Sequence, residues 1–209
     1  MFLLGLAAGP EDASAATVLC RNSKGTKVTW RPNVCKTGET QLDPATEIGV
    51  GPAVYRFSGI AQNLPILSLT GWRQCYTDLY NNTKPLADVL AACPGPSLLL
   101  ACRATGSGTP TLAASAASAD VLFDTGFSNV LHEANGVGWY FSDAYSWGFA
   151  PSGAVVDRDE CDVVTATDPD LRLCWHTFAQ QLTAGYRCGD NDLNGSTAFE
   201  RVIFEAPAE

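Results

Sequence analysis

The sequence predicts an all-β protein: a disulfide-stapled β-sandwich or barrel-like domain with one short helix, preceded by a small N-terminal β-hairpin module. Three observations lead to this fold class. Eight cysteines are spread along 209 residues without a C-x-x-C pair, short β-prone runs alternate with Gly, Pro, Asn and Asp, and 46% of the residues are hydrophobic. Dispersed cysteines in even number indicate an oxidised extracellular framework, and several short strands with such turns indicate a sandwich or barrel.

Residues 1–16 read MFLLGLAAGPEDASAA, a short apolar run followed by small residues. This pattern is typical of the second half of a secretory signal, although a basic start is missing and Glu11 and Asp12 are unusual there. Two interpretations stay open, a signal-peptide remnant and an ordinary N-terminal tail.

Residues 17–43 form the predicted small β module. Two β-prone segments, Thr17–Leu19 and Lys27–Trp30, flank a turn-rich stretch. Cys20 and Cys35 are spaced to close this unit with a disulfide. A disulfide that closes a loop of that length stabilises the folded state by about 3 kcal/mol. The module is too small for a core of its own, so the crosslink or assembly with other copies must hold it.

Residues 44–53 are predicted to be a linker, and residues 54–209 to be a β-rich head domain. The expected strands of the head are short β-branched, aromatic or leucine-rich runs. They are Tyr55–Ser58, Leu64–Leu69, Leu98–Cys102, Val121–Asp124, Val137–Phe141, Leu171–Trp175 and Ala198–Phe204.

One segment of the head has helical instead of strand periodicity. Thr83 is placed to cap this helix, and Pro85 suits its start. The apolar residues that fall on one helical face are Leu86, Val89, Leu90 and Cys93.

The disulfide connectivity cannot be fixed from spacing alone. Cys20 with Cys35 is the first expectation because both lie in the small module. The remaining six cysteines allow fifteen connectivities. Among these we favour Cys75 with Cys93, Cys161 with Cys174, and Cys102 with Cys188, since the first two close short loops and the third joins a central strand to the C-terminal half.

The charge balance excludes two classes of partner. The formal net charge is -9 at pH 7, so phosphate backbones and anionic membranes are repelled and nucleic acid is not an expected partner. We also expect no membrane span, because no uninterrupted apolar run beyond the N-terminal segment is long enough to cross a bilayer.

The N-terminal module resembles a short module of bacterial secreted proteins, C-V-N-K-x-T-G followed by K-C-K-K-G-E-T. The matching residues are Cys20–Gly25 and Val34–Thr40, and the chain departs from the pattern at Arg21, Trp30 and Val34. That module often adjoins collagen-like, coiled-coil or other fibrous segments. The resemblance therefore implies an extracellular stalk or fibre, commonly multimeric.

The head resembles a recurrent, mostly uncharacterised C-terminal β domain of secreted bacterial proteins over about 135 residues. That resemblance implies an extracellular accessory domain and gives no catalytic residues to carry over. The blocks that carry it are Gly71–Tyr76, Leu98–Arg103, Asp120–Gly126, Asn135–Tyr140, Ser146–Ala150, Leu173–Thr177, Gly185–Gly189 and Glu200–Ile203.

One segment suggests a metal site. Asp190, Asp192 and Asn194 place side-chain oxygens at alternate positions before Gly195, as in the first half of a calcium loop. The twelfth position is Arg201 instead of a bidentate glutamate, so the segment is not an EF-hand. A polar turn without metal is the alternative, and calcium is the only cofactor that the sequence suggests.

Aromatic residues and histidines are the other candidates for chemistry. Trp139, Tyr140 and Trp147 could stack on sugar rings as a ligand platform, or pack in the core or at a subunit interface. His132 and His176 lack the motifs that accompany hydrolytic or metal sites. The chain is therefore not expected to be an enzyme, and no catalytic residue is assigned.

These features together predict a secreted protein of the extracellular space or cell surface. We expect a structural or adhesive protein, a self-assembling homo-oligomer or polymer in an extracellular fibre, appendage or surface layer. Assembly is expected through the N-terminal module. The alternative is a lectin-like module with a glycan ligand.

Overall fold

The computed structural model describes residues 17–24, 27–32, 34–42, 54–159, 161–164 and 167–208. The chain divides into two compact units, with the boundary between Pro52 and Ala53. The predicted signal remnant, residues 1–16, and the predicted linker, residues 44–53, lie outside the described residues.

The N-terminal unit is a three-stranded antiparallel sheet, one strand more than the predicted hairpin. Its strands are β1 (Thr17–Asn22), β2 (Val28–Pro32) and β3 (Glu39–Leu42), in the order β2-β1-β3. The Cys20–Cys35 disulfide ties the central strand to the segment before β3, with a Cα–Cα distance of 5.6 Å. The predicted pair is confirmed.

The head contains two antiparallel sheets, which confirms the all-β fold class. One sheet has five strands in the order β4-β8-β7-β15-β5, and the other has seven, β14-β13-β12-β11-β10-β9 with β6 beside β13. The strands are β4 (Ile60–Gln62), β5 (Arg73–Leu79), β6 (Lys84–Pro85), β7 (Ser97–Ala104), β8 (Leu112–Ala117), β9 (His132–Ala134), β10 (Val137–Phe141), β11 (Ser146–Pro151), β12 (Leu173–His176), β13 (Gln181–Cys188), β14 (Asn191–Asp192) and β15 (Phe199–Ala206).

The described helices are short. The predicted helix is α1 (Leu86–Ala92), and a second helical turn, α2 (Ser118–Val121), follows β8. Thr83 does not cap α1: Pro85 occupies the N-cap position, and the Thr83 hydroxyl lies 3.0 Å from the Thr183 hydroxyl. Single 3-10 turns are formed by Ile66–Ser68, Pro169–Leu171 and Phe178–Gln180.

Three predicted strands of the head are wrong. Tyr55–Ser58 is irregular, Leu64–Leu69 contains a 3-10 turn that follows Pro65, and Val121–Asp124 begins in α2. Phe57, Leu64, Leu69 and Val121 of these segments pack against the sheets without being strands, and periodicity alone does not distinguish the two cases.

The two sheets of the head pack face to face around one apolar core. Leu98 and Leu100 of β7 belong to the same buried cluster as Trp139, Trp147 and Trp175 of the seven-stranded sheet. The Trp147 and Trp175 rings meet edge to face, with centroids 5.5 Å apart. Such contacts between large aromatic rings contribute beyond the area that they bury.

Three disulfides join elements of the head, and all three follow the favoured connectivity. Cys102–Cys188 links β7 to β13 and so joins the two sheets. Cys75–Cys93 links β5 to the end of α1, and Cys161–Cys174 links a loop to β12. All eight cysteines are paired, as is typical of extracellular proteins.

The outer face of the five-stranded sheet is covered by Val54–Trp72, which we call the apolar cover. Leu64 and Leu69 of this segment are buried against Leu99 of β7 and Phe204 of β15. Because Leu99 alternates with the inter-sheet residues of β7, the central strand is buried on both faces.

The outer face of the seven-stranded sheet is covered by residues 154–159, 161–164 and 167–172, which we call the polar cover. Cys161 attaches this segment to β12 through Cys174. The Asp162 Oδ2 atom lies 2.7 Å from Arg172 Nη1, and both side chains are fully buried. This cover therefore rests on a crosslink and a buried ion pair.

Candidate functional site

The three aromatic residues predicted as a ligand platform lie in the core. Trp139, Tyr140 and Trp147 have no solvent-exposed surface. The Trp139 Nε1 donates to Ala134 O at 3.2 Å, and the Tyr140 hydroxyl donates to Leu173 O at 2.9 Å. Their burial contradicts the platform, because a sugar could reach these rings only by opening the sandwich. The alternative of core packing describes them correctly.

The predicted calcium residues lie on the β13–β14 hairpin, which turns at Gly189 with a φ of 62°. Asp190, Asp192 and Asn194 are all exposed, and the Asn194 amide donates to the Tyr186 hydroxyl at 2.9 Å. In the described part of the chain, no group of three or more His, Cys, Asp or Glu side chains is arranged to hold a metal. Calcium at these residues stays a prediction.

The two histidines have different surroundings. His132 Nε2 lies 2.8 Å from Asp120 Oδ1, and its ring stacks on Phe123 with centroids 4.2 Å apart. His176 meets the Tyr186 ring edge to face at 4.9 Å. No hydroxyl group of the described residues hydrogen bonds to the His132 ring, so the structure does not bring together a nucleophile and a base at this position.

The three-stranded sheet of the N-terminal unit is basic, whereas the unit as a whole, Met1–Pro52, carries five cations and five carboxylates and is formally neutral. Residues 17–42 contain five cations and one carboxylate, a formal charge of +4. That carboxylate, Glu39, accepts hydrogen bonds from Arg31 Nη2 at 2.7 Å and from Lys36 N at 3.0 Å. The hydrogen bond from Arg31 lowers the pKa of Glu39 below its ordinary value. Lys24, Lys27 and Lys36 are exposed, so the surface of this sheet carries a net positive charge.

The head is acidic, and burial of its arginines makes the charge of its surface more negative. Residues 54–209 carry seventeen carboxylates against eight Lys and Arg, a formal charge of -9. Five of those eight cations are buried side chains, with 8% relative exposure at most. They are Arg103, Arg158, Arg172, Arg187 and Arg201.

Arg158 is one of these buried cations. Its guanidinium donates to Ser146 Oγ at 2.9 Å, Thr125 Oγ1 at 2.8 Å and Ser128 O at 2.7 Å. It also lies against the rings of Tyr140 and Tyr145, at 5.2 and 4.9 Å from their centroids. Burial lowers the pKa of Arg158. Arg158 therefore joins three loops from inside and offers little positive surface to solvent.

The loops that Arg158 joins form a surface that we call the acidic–aromatic face. Phe127 is 70% exposed, and its ring lies 5.3 Å from that of Tyr145. The Tyr145 hydroxyl donates to Asp159; burial, followed by this hydrogen bond, raises the pKa of Tyr145 to about 12. The residues of the face are Asp124, Phe127, Asp143, Tyr145, Asp157 and Asp159.

This arrangement can bind a basic partner that also offers apolar surface. The carboxylates of the face attract cations, and an exposed aromatic ring among them supplies contact area. The positions of Lys, Arg, Asp and Glu in the sequence already place a basic segment, residues 17–42, before an acidic head. Burial of the head arginines adds to that separation, and no pattern in the sequence indicates it.

Comparison of the chain with protein-family models, with curated proteins and with solved structures finds no match. None of the helices in the described residues is long and apolar enough to cross a membrane.

Proposed function

We propose that the protein is a secreted structural or adhesive component of an extracellular fibre, appendage or surface layer. Its copies assemble head to tail, and the basic N-terminal sheet of one copy binds the acidic–aromatic face of the next. The observation that carries this proposal is the difference in formal charge between the N-terminal sheet, +4 in residues 17–42, and the head, -9 in residues 54–209; the acidic residues that flank the sheet make Met1–Pro52 as a whole neutral.

Electrostatic complementarity between two surfaces favours association between copies, whereas a high net charge alone would oppose it. A net charge of -9 on a uniform surface would keep copies apart, because like charges repel. When the positive charge is concentrated in one sheet, the same chain presents two complementary surfaces. Exposed Lys24, Lys27 and Lys36 suit the carboxylates of Asp143 and Asp159.

The geometry of such a contact favours open assemblies. The two surfaces are different parts of the chain, so the contact is heterologous, and heterologous contacts give rings or filaments. The resemblance of the N-terminal module to modules beside fibrous segments favours the filament. Four disulfides suit a protein that must last outside the cell. The proposal assigns no catalytic residue.

Sedimentation velocity on the full chain, over a range of protein concentrations and ionic strengths, tests this proposal. We expect assemblies at low ionic strength that grow with protein concentration and dissociate at high salt, because screening shortens the reach of surface charges to about 8 Å near physiological salt. A variant carrying Lys24→Glu and Lys36→Glu should remain monomeric. The matched control is Lys84→Glu, an exposed lysine of the head, which should assemble like the wild type.

Two outcomes of this experiment would count against the proposal. If the chain stays monomeric at every protein concentration and ionic strength, assembly between copies is excluded. The same result is expected if the basic N-terminal sheet binds the head of its own chain, so that case also counts against the proposal. Assemblies that persist in the double lysine variant would show that the charge of the N-terminal unit is not what joins the copies.

A further inference from the structure

A concave site in the described part of the head has no role in the proposed assembly. It is an open cleft of about 550 Å³, within the size range of small-molecule sites. It lies between the start of β7, the end of β8, α2, the β9–β10 turn and the apolar cover. The residues that give it its chemistry are Arg56, Phe57, Ser97, Ser115, Asp120 and Asn135.

Ser115 supplies a buried polar group in this cleft. Its relative exposure is 3%, and its main-chain carbonyl accepts a hydrogen bond from Asn135 Nδ2 at 2.8 Å. Its hydroxyl, by contrast, hydrogen bonds to none of the described residues. The hydroxyl oxygen keeps contact with solvent in the cleft. This hydroxyl is therefore suited to bind a polar group that enters the cleft.

Asp120 and Arg56 place opposite charges in the same cleft. One carboxylate oxygen of Asp120 lies 2.8 Å from His132 Nε2, and the side chain is 38% exposed. Arg56 donates to Ser97 Oγ at 3.0 Å and to Pro207 O at 2.6 Å. These contacts hold both charged groups in fixed positions.

Asn135 fixes the rim of the cleft. It adopts a positive φ of 51°, and its side-chain amide donates to Phe57 O and Ser115 O, both at 2.8 Å. Its own carbonyl accepts from Ser58 Oγ at 3.0 Å and from Gly59 N at 2.8 Å. The turn is thus tied to the apolar cover and to β8, so the cleft is formed before any ligand arrives.

We propose that this cleft binds a neutral saccharide of one or two sugar residues. An anionic ligand would be repelled by Asp120, and a cationic ligand by Arg56. A neutral polyol can hydrogen bond to both charged groups. Its hydroxyls donate to the carboxylate, and its oxygens accept from the guanidinium and the Ser115 hydroxyl. Phe57 supplies apolar surface for the C–H face of a sugar ring.

Isothermal titration with a panel of neutral mono- and disaccharides tests this proposal. Glucuronate, glucosamine and glycine serve as anionic, cationic and zwitterionic probes. We expect at least one neutral sugar to bind, and Asp120→Asn and Ser115→Ala each to weaken that binding about tenfold, which corresponds to about 1.4 kcal/mol. Asp88→Asn, on the exposed side of α1, is the matched control and should bind like the wild type.

The thermal midpoint of each variant shows whether it is folded, so a loss of binding can be assigned to the cleft. Failure of every neutral sugar to bind would overturn the proposal, as would preferred binding of a charged probe or of glycine. Binding that neither cleft variant weakens would overturn it as well. The lysine variants of the N-terminal unit should bind the sugar normally, so this result is independent of assembly.

Discussion

The two covers of the head solve the same problem with different chemistry. Each hides the outer face of a sheet. The apolar cover does so with leucines such as Leu64 and Leu69, which pack on the five-stranded sheet. The polar cover uses the buried Asp162–Arg172 pair and the Cys161–Cys174 crosslink.

The difference between the covers lies in what each contact requires. Apolar packing is non-directional, so part of it survives when one side chain is shortened. A buried ion pair works only as a pair, because either partner left alone is an uncompensated charge in a poorly solvated interior. The polar cover is therefore expected to be held in one arrangement and to lose more stability when a single residue of the pair is replaced.

The largest effect is expected at the ion pair of the polar cover. Asp162→Asn keeps the shape of the side chain but leaves the Arg172 guanidinium buried without its counter-ion. We expect the free energy of unfolding to fall by about 4 kcal/mol, measured by urea denaturation.

Asp168→Asn is the matched control, since Asp168 is exposed on the same cover and its φ of 49° suits asparagine as well as aspartate. It should change stability by less than about 0.5 kcal/mol. Equal effects of the two substitutions would show that the buried pair does not hold the cover.

A smaller effect is expected in the apolar cover. Leu69→Ala removes buried methyl groups next to Leu99 and Phe204 and should cost about 2.5 kcal/mol, near the low end for such truncations, because an irregular segment can close over part of the cavity. Leu67→Ala is the control, because Leu67 is 97% exposed and two residues away. If Leu69→Ala proved more costly than Asp162→Asn, the contrast between the covers would be reversed.

The smallest effect concerns alkaline pH. The pKa of Tyr145 is raised to about 12 in the folded protein, above the value of about 10 expected when unfolded. The unfolded chain therefore loses this proton first, and the contribution of Tyr145 to stability, complete below pH 10, is lost as the pH rises toward 12. Denaturation of Tyr145→Phe across this range should show a shallower decline than the wild type, and an identical decline would contradict the assignment.

Much of the fold could be predicted because its signals are local. The strand at Val137–Phe141 and the helix at Leu86–Ala92 follow from periodicity, and the four disulfides match the favoured pairs, although spacing alone leaves fifteen connectivities open for six of the cysteines. Strand β3 was missed because it is short and mostly polar. Two segments of the apolar cover, Tyr55–Ser58 and Leu64–Leu69, are predicted as strands because their apolar residues lie in β-like runs.

The candidate sites were harder to predict because they depend on burial. Trp139 and Trp147 have the composition of a sugar platform, and only the packing of two sheets shows that they are core. Arg158 counts as a surface charge in the sequence, yet it lies between two tyrosine rings. Arg56, Ser115 and Asn135, which are distant in the sequence, meet in one cleft only through tertiary structure.

The attraction between the basic N-terminal sheet and the acidic–aromatic face of the head is the central claim, and changing the charges of these two surfaces tests it most directly. One variant carries Lys24→Glu and Lys36→Glu, and a second carries Asp143→Lys and Asp159→Lys on the acidic–aromatic face. We predict by sedimentation velocity that neither variant assembles alone, whereas an equimolar mixture forms dimers, because the second variant retains the basic N-terminal sheet and the first retains the acidic–aromatic face. A mixture that stays monomeric while the wild type assembles, or a lysine variant that assembles alone, would contradict the account.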